Sequence, residues 1–183
     1  DAFTQYQHTW AESHNFNAMV GYSYQNRMFK SMEATGSGGS SDKISTINAS
    51  SLTTGTSTSN QDVQIGFFGR VNYDYKSRYL LTLVARYDAS SKFMKANRWG
   101  FFPSFSAGWR LSEEGFLKDV AAVNQLKLRA SWGSLGNNAV GNYEWQSVYN
   151  KDSYILNNTL APGLSIQTIS NAGLTWETTY VTN

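Results

Sequence analysis

The feature that most constrains this chain is strict period-two alternation of apolar and polar residues. Residues 64–75 read QIGFFGRVNYDY. One side carries Ile65, Phe67, Gly69, Val71, Tyr73 and Tyr75, and the other Gln64, Gly66, Phe68, Arg70, Asn72 and Asp74. Because successive strand side chains point to opposite faces, such a run is a half-buried strand and not a helix. A short polar turn at 76–78 leads into 79–88. There Tyr79, Leu81, Leu83, Ala85 and Tyr87 oppose Thr82, Arg86 and Asp88, with Leu80 and Val84 diluting the polar side. Two alternating runs joined by a short turn predict an antiparallel hairpin.

The pattern recurs. In 101–111 (FFPSFSAGWRL), Phe101, Pro103, Phe105, Ala107, Trp109 and Leu111 oppose Ser104, Ser106, Gly108 and Arg110. In 126–133, Leu126, Leu128, Ala130 and Trp132 oppose Lys127, Arg129, Ser131 and Gly133. In 16–25, Phe16, Ala18, Val20, Tyr22 and Tyr24 face away from Asn17, Met19, Gly21, Ser23 and Gln25, and 3–10 pairs with this run through a turn at 11–15. A weaker strand covers 174–182, which makes seven. Connections alternate in length: short at 11–15 and 76–78, compact at 112–124 with one helical turn expected near 114–119, longer at 26–62, 89–100 and 135–172. Residues 36–60 are rich in Gly, Ser and Thr, and are expected to form a mobile loop.

Strands of alternating hydrophobicity, short turns at one end, long loops at the other and aromatic girdles together describe a transmembrane β-barrel. The girdles are readable. Tyr73, Tyr75 and Tyr79 flank the tight turn, while Tyr22, Tyr24, Tyr87 and Phe101 sit toward the long loops. Tyr and Trp favour a membrane interface because the ring is apolar and the tip wants water. A soluble, secreted β-sandwich adhesin or glycan-binding module alternates too and stands as the alternative. Against it, Arg70, Arg86, Arg110, Lys127 and Arg129 fall on polar faces near strand middles, as a wet, charged lumen requires. Seven strands cannot close a membrane barrel, and open edges in hydrocarbon leave backbone groups unpaired. The chain is therefore expected to belong to something longer.

Four stretches then become specific: 69–93 (GRVNYDYKSRYLLTLVARYDASSKF), 97–116 (NRWGFFPSFSAGWRLSEEGF), 126–137 (LKLRASWGSLGN) and 174–178 (LTWET). In this order and spacing they resemble the barrel of SusC/RagA-type TonB-dependent outer-membrane transporters, with 1–25 fitting the preceding hairpin less specifically. Ala89 stands where that pattern usually has Gly, and Leu135 where Thr is common. The resemblance implies an all-β, antiparallel up-and-down barrel segment of about six to eight strands within a plugged barrel of about 22. All of 1–183 is then barrel wall in the bacterial outer membrane, with 26–62 and 135–172 as extracellular loops. It also implies a SusD-like surface lipoprotein as partner, energy from the TonB complex through parts of the protein outside these residues, and glycan or peptide as cargo.

No catalytic constellation appears, and neither enzyme activity nor a cofactor is expected. Glu113 and Glu114 are adjacent in a link and read as a solvated helix start. His8 and His14 have no metal-ligand spacing, and Asp42 and Asp62 sit in polar loops without a calcium-loop pattern. Two sequons, 48–50 and 157–159, are short enough to arise by chance. The charged residues are interspersed at a net +2, so nucleic acid is not an expected partner. Within 136–160, Tyr143, Trp145, Tyr149 and Tyr154 lie among asparagines, a mix that stacks on and hydrogen-bonds to sugars or peptides. These four and Trp99 are the cargo-contact candidates. The five lumen-facing cations are expected to pair mainly with acids of the plug.

Overall fold

A computed structural model describes residues 1–39, 41, 43–44, 46–117 and 123–183. Asp42 and the end of the expected 114–119 turn lie outside the described residues. The strands are β1 (Ala2–Trp10), β2 (His14–Gly39), β3 (Ser50–Tyr75), β4 (Tyr79–Ser90), β5 (Trp99–Arg110), β6 (Lys127–Asn137), β7 (Val148–Leu156), β8 (Thr159–Thr168) and β9 (Glu177–Thr182). Seven form one sheet in the order β1-β2-β3-β4-β5-β6-β9, and β7 with β8 forms a separate two-stranded sheet. The seven expected strands are thus all present and in up-and-down order.

The register follows the alternation. Val71 faces Leu83, Leu83 faces Phe105 and Phe105 faces Trp132, so one apolar rung crosses four strands. The next rung, Asn72, Thr82, Ser106 and Ser131, is polar throughout. A slip of one residue would exchange these faces completely, so the pattern itself pins the pairing.

The turn at 76–78 has the expected length, whereas the one expected at 11–15 shortens to 11–13, because His14 already pairs with Trp10. Within these three-residue connections Ala11 and Glu12 (φ 48° and 54°), like Lys76 and Ser77 (φ 50° and 54°), occupy the left-handed region. Neither pair is among the Asn-Gly or Asp-Gly sequences that favour such turns. The second is braced by its flank: the Ser77 N–H donates to Asp74 Oδ1 at 2.8 Å.

The chain divides into two compact units, Asp1–Gln25 with Val63–Asn183, and Asn26–Asp62. The smaller unit corrects the expected mobile loop at 36–60. Residues 26–39 and 50–62 are strand, joined near a short 3-10 turn at Ile47–Ala49. Ser31 Oγ and Thr58 Oγ1 lie 2.6 Å apart, and Gln61 donates to Asn26 Oδ1 at 3.0 Å. Polar side chains carry no period because both faces meet water. The backbone still pairs. Likewise 135–172 contains the β7–β8 hairpin, turned at Asn157 and Asn158 (φ 49° and 61°).

Candidate functional site

The apolar side of the larger unit is bare. Leu83 is 45 % exposed, Phe105 48 % and Leu128 60 %, although all three sit inside paired strands. This removes the sandwich alternative, which would press that side against a second sheet. Aromatic rings border the bare rungs at both ends. Toward the short turns, Tyr75 stacks on Tyr79 and Tyr79 on Trp109, each at 6.1 Å between ring centres. Toward the long connections, Trp99 stacks on Tyr87 at 4.5 Å and on Phe67 at 6.2 Å, and Phe67 meets Tyr22 at 5.2 Å. Tyr79 and Tyr87 are eight residues apart, about 26 Å along the strand at roughly 3.3 Å per residue. A strand tilt of about 40° reduces that to roughly 20 Å of height, close to the ~25 Å apolar band of an outer-membrane barrel. Leu83 lies midway between the belts.

Polar groups tie down the lower belt. His14 Nδ1 and Tyr73 Oη share a hydrogen bond of 2.7 Å, and His8 packs its ring on Trp10 at 4.7 Å. Both histidines therefore belong to the belt. Glu114 is no solvated helix start, for the 3-10 turn there covers Leu111–Glu113. Its carboxylate accepts from Trp109 Nε1 at 3.0 Å, from Tyr79 Oη at 2.8 Å and from Arg78 at 3.2 Å. The indole N–H, then the tyrosine hydroxyl, hold its carboxyl below the ordinary range; burial opposes this and Arg78 adds to it. Sequence reasoning missed this clasp, because the three donors come from one turn and two strand ends.

The polar side carries the five expected cations, in two environments. Toward the long connections, Arg86 donates to Asp88 through Nε (3.1 Å) and Nη2 (3.0 Å) and lies 5.6 Å from the centre of the Phe68 ring. A recess of about 520 Å³ beside it is lined by Thr82, Ser104, Ser131 and Gly133. Toward the short turns, Arg110 faces Lys127 directly across the ladder, and Arg129 faces Gly108. Lys127 and Arg129 line a second recess of about 400 Å³ with Asn72, Thr82, Ser106 and Ser131. Arg70, Arg110, Lys127 and Arg129 make no ion pair among the described residues.

The described residues bury little, and what they bury gathers at the long-connection end. Phe93 is fully buried and Phe102 nearly so. Trp176 joins them at 5.4 Å and 5.2 Å, and donates through Nε1 to the Arg98 carbonyl at 2.8 Å. Arg98 Nε donates in turn to the Phe93 carbonyl at 3.1 Å. Asn97 holds the carbonyls of Ala172 and Leu174, and Asn138 donates to Ser90 Oγ. This knot ties the 91–98 connection to both ends of the 138–176 segment. Its parts come from three of the four stretches singled out by resemblance, 69–93, 97–116 and 174–178, with Asn138 and Ala172 added from outside them. Alternation could not have found it, since its members lie far apart in sequence.

The cargo-contact candidates are not brought together. Trp99 sits in the upper belt on the apolar side. Tyr149 and Tyr154 are five residues apart on β7 and so point to opposite faces. Tyr154 Oη donates to the Leu164 carbonyl at 2.8 Å, and its ring lies over Gly163. Tyr143 takes a positive φ in the turn before β7. Trp145 Nε1 is buried without a hydrogen-bond partner among the described residues.

Comparison with known proteins agrees with this geometry. The family model "TonB dependent receptor-like, beta-barrel" matches residues 1–180. The TonB-dependent receptor P26 of Formosa agariphila is 40 % identical over 179 residues, 96 % of this chain and 18 % of that protein. SusC of Bacteroides thetaiotaomicron is 46 % identical over 86 residues, 47 % of this chain and 9 % of that protein. The RagAB peptide transporter superposes with a TM-score of 0.86 at 27 % identity, covering 96 % of this chain and 20 % of that one. The chain thus spans at most a fifth of the length of these relatives. It belongs to the TonB-dependent receptor β-barrel family, as a SusC/RagA-type segment of an outer-membrane barrel.

Proposed function

We propose that this chain is a wall segment of a TonB-dependent importer that takes up oligosaccharides or peptides with a SusD-like surface lipoprotein. The observation that carries this reading is the row of bare apolar rungs between two aromatic belts, backed by a charged, hydroxyl-rich opposite side. In hydrocarbon every backbone polar group must be paired, and a sheet of paired strands with this division of faces meets that demand only as part of a closed barrel. The wall itself does no chemistry. The TonB complex acts through parts of the longer protein, and the lumen-facing cations neutralise acids of its plug.

The long hairpin Asn26–Asp62 and the 135–172 segment lie on the extracellular side in this reading. Tyr143, Trp145, Tyr149 and Tyr154 offer contacts to cargo or to the lipoprotein lid. Trp99 has the weaker claim, because its stacking on Tyr87 suits an interfacial ring.

Purifying the full-length protein from outer membranes and feeding labelled oligosaccharides and peptides to cells with and without TonB tests the reading. Co-purification of a surface lipoprotein and uptake that stops when TonB is lost are expected. Uptake that continues without TonB would contradict it.

A further inference from the structure

We propose that a hollow on the apolar side, floored by Ala107 and Ala130, seats one acyl chain of a glycerophospholipid of the periplasmic leaflet, with the lipid's phosphate drawn to Lys76. The proposal rests on the barrel-wall reading above. It adds one particular lipid seat to a side that would otherwise meet only exchanging acyl chains. The hollow follows from the register. Leu81, Ala107 and Ala130 share a rung. The rung nearer the short turns carries Tyr79, Trp109 and Leu128, and the rung on the other side Leu83, Phe105 and Trp132. Same-face rows lie about 7 Å apart, so two adjacent alanines between rows of large side chains leave a trough. Its volume is about 560 Å³, within the range of small-molecule sites.

The walls are fixed in advance and take no polar ligand. Trp109 Nε1 and the Tyr79 hydroxyl both donate to Glu114, which pins the two rings with their planes 17° apart. The Tyr73 hydroxyl, also at the hollow, is held by His14. With these groups engaged, the hollow favours an apolar occupant, and pre-set walls spare it the cost of ordering side chains. Charge enters only at the short-turn rim. There Lys76 Nζ lies 5.2 Å from the centre of the Tyr75 ring, which stacks on Tyr79. Lys76 makes no ion pair among the described residues. Neither Glu12 in the neighbouring turn nor Asp74 pairs with it, and Asp74 Oδ1 accepts from the Ser77 N–H and from Asn15.

An apolar trough with a cation at one rim fits an amphiphile whose head is anionic. The spacing suits a membrane lipid. Ala107 lies two strands and three residue levels from Lys76, about 10 Å across and about 10 Å along, so about 14 Å in all. One leaflet contributes about half of a hydrocarbon core of ~30 Å, so a chain whose phosphate meets Lys76 reaches the alanine floor. The rim lies at the short-turn end, opposite the long connections, which selects a phospholipid of the periplasmic leaflet over lipopolysaccharide of the outer one.

The test uses the full-length protein purified from outer membranes in mild detergent, with bound lipid counted by native mass spectrometry and by extraction. Heat-modifiable migration on gels reports the barrel separately. The unaltered protein should retain a phospholipid through washing. A107L/A130L, which fills the trough, should retain less by on the order of tenfold, the effect of losing contact with about two buried methylenes. Lys76→Gln should lower retention by roughly fivefold. Ala85→Leu, the same kind of change elsewhere on the apolar side, should leave it unaltered. Retention by A107L/A130L equal to that of the unaltered protein would overturn the seat. So would an equal loss in Ala85→Leu, which marks exchanging lipid, or lipopolysaccharide as the retained species. A change from dimer to monomer in A107L/A130L with lipid unaffected would assign the hollow to a second copy and overturn the proposal too. If A107L/A130L does not insert, Lys76→Gln decides alone, and full retention by it overturns the proposal. If no form, including the unaltered one, migrates as a heat-modifiable barrel, the barrel-wall reading fails and the seat falls with it.

Discussion

β3 is one strand of 26 residues with two characters. From Val63 to Tyr75 its residues alternate, and Ile65, Phe67, Val71, Tyr73 and Tyr75 each have an apolar neighbour across the ladder, while Phe68 on the other side faces Arg86. From Ser50 to Gln61 it reads SSLTTGTSTSNQ, with almost no apolar residue and no period. Both halves are equally good strand. The difference lies in what each face meets. Where one face meets hydrocarbon and the other a wet interior, side chains must be sorted by polarity. Where both faces meet water, only backbone pairing is required, and Ser and Thr with a few cross-strand hydroxyl contacts suffice. Alternation is thus a record of environment more than a requirement for being a strand.

The largest effect that would sharpen this contrast lies where the alternating unit does bury a core. Phe93→Ala should destabilise the barrel by about 3–5 kcal/mol, measured by the urea concentration at which heat-modifiable migration is lost, because Phe93 is fully buried against Trp176. Next comes the bare face. Leu83→Arg should cost ~2–4 kcal/mol at the midpoint between the belts, whereas Thr82→Arg, one residue away on the polar side, should be much milder. Equal shifts from the two would break the face assignment.

Smaller and pH-dependent is the clasp at Glu114. Its carboxyl sits below its unfolded value, so its contribution is full above the ordinary carboxylate range and fades as pH falls through the lowered value. Urea midpoints of the unaltered protein should therefore drop between about pH 7 and pH 3 by more than those of Glu114→Gln. Matching slopes would remove the clasp from the account. Smallest is Met32→Arg in the water-exposed hairpin, where Met32 is 86 % exposed. A change within about 0.5 kcal/mol is expected there, and a cost near that of Leu83→Arg would mean that the hairpin too touches lipid.

The same contrast explains what was legible in the sequence. Strands β3 (from Val63), β4 and β5, their faces and the aromatic belts could be read directly, because lipid on one side imposes a period. The arms of the Asn26–Asp62 hairpin and the β7–β8 pair could not, because nothing sorts their side chains. The turn at 76–78 was legible as it stands, whereas the one at 11–13 read two residues too long, since Ala11 and Glu12 are not residues that favour positive φ. The cations of the polar side were placed by alternation, yet their division into an Arg86 paired with Asp88 and a group at the short-turn end without an ion pair among the described residues needed the register. The roles of Trp176, Arg98 and Glu114 were not legible, although all three stood in stretches the sequence singles out, because those roles depend on partners from separate elements. Tyr149 and Tyr154 looked like one aromatic surface until β7 formed and set them on opposite faces.

The central claim is that the Leu- and Tyr-bearing side of β4 lies against acyl chains while the Thr- and Arg-bearing side faces water. These residues include no cysteine, so single cysteines introduced one at a time along Tyr79–Ser90 in the membrane-embedded full-length protein can each carry a nitroxide. Collisions with oxygen, which concentrates in lipid, and with a water-soluble nickel chelate should then alternate residue by residue. Oxygen should dominate at Leu81, Leu83 and Ala85, and nickel at Thr82, Val84 and Arg86. Loss of the two-residue period, or nickel dominating at Leu83, would contradict the account.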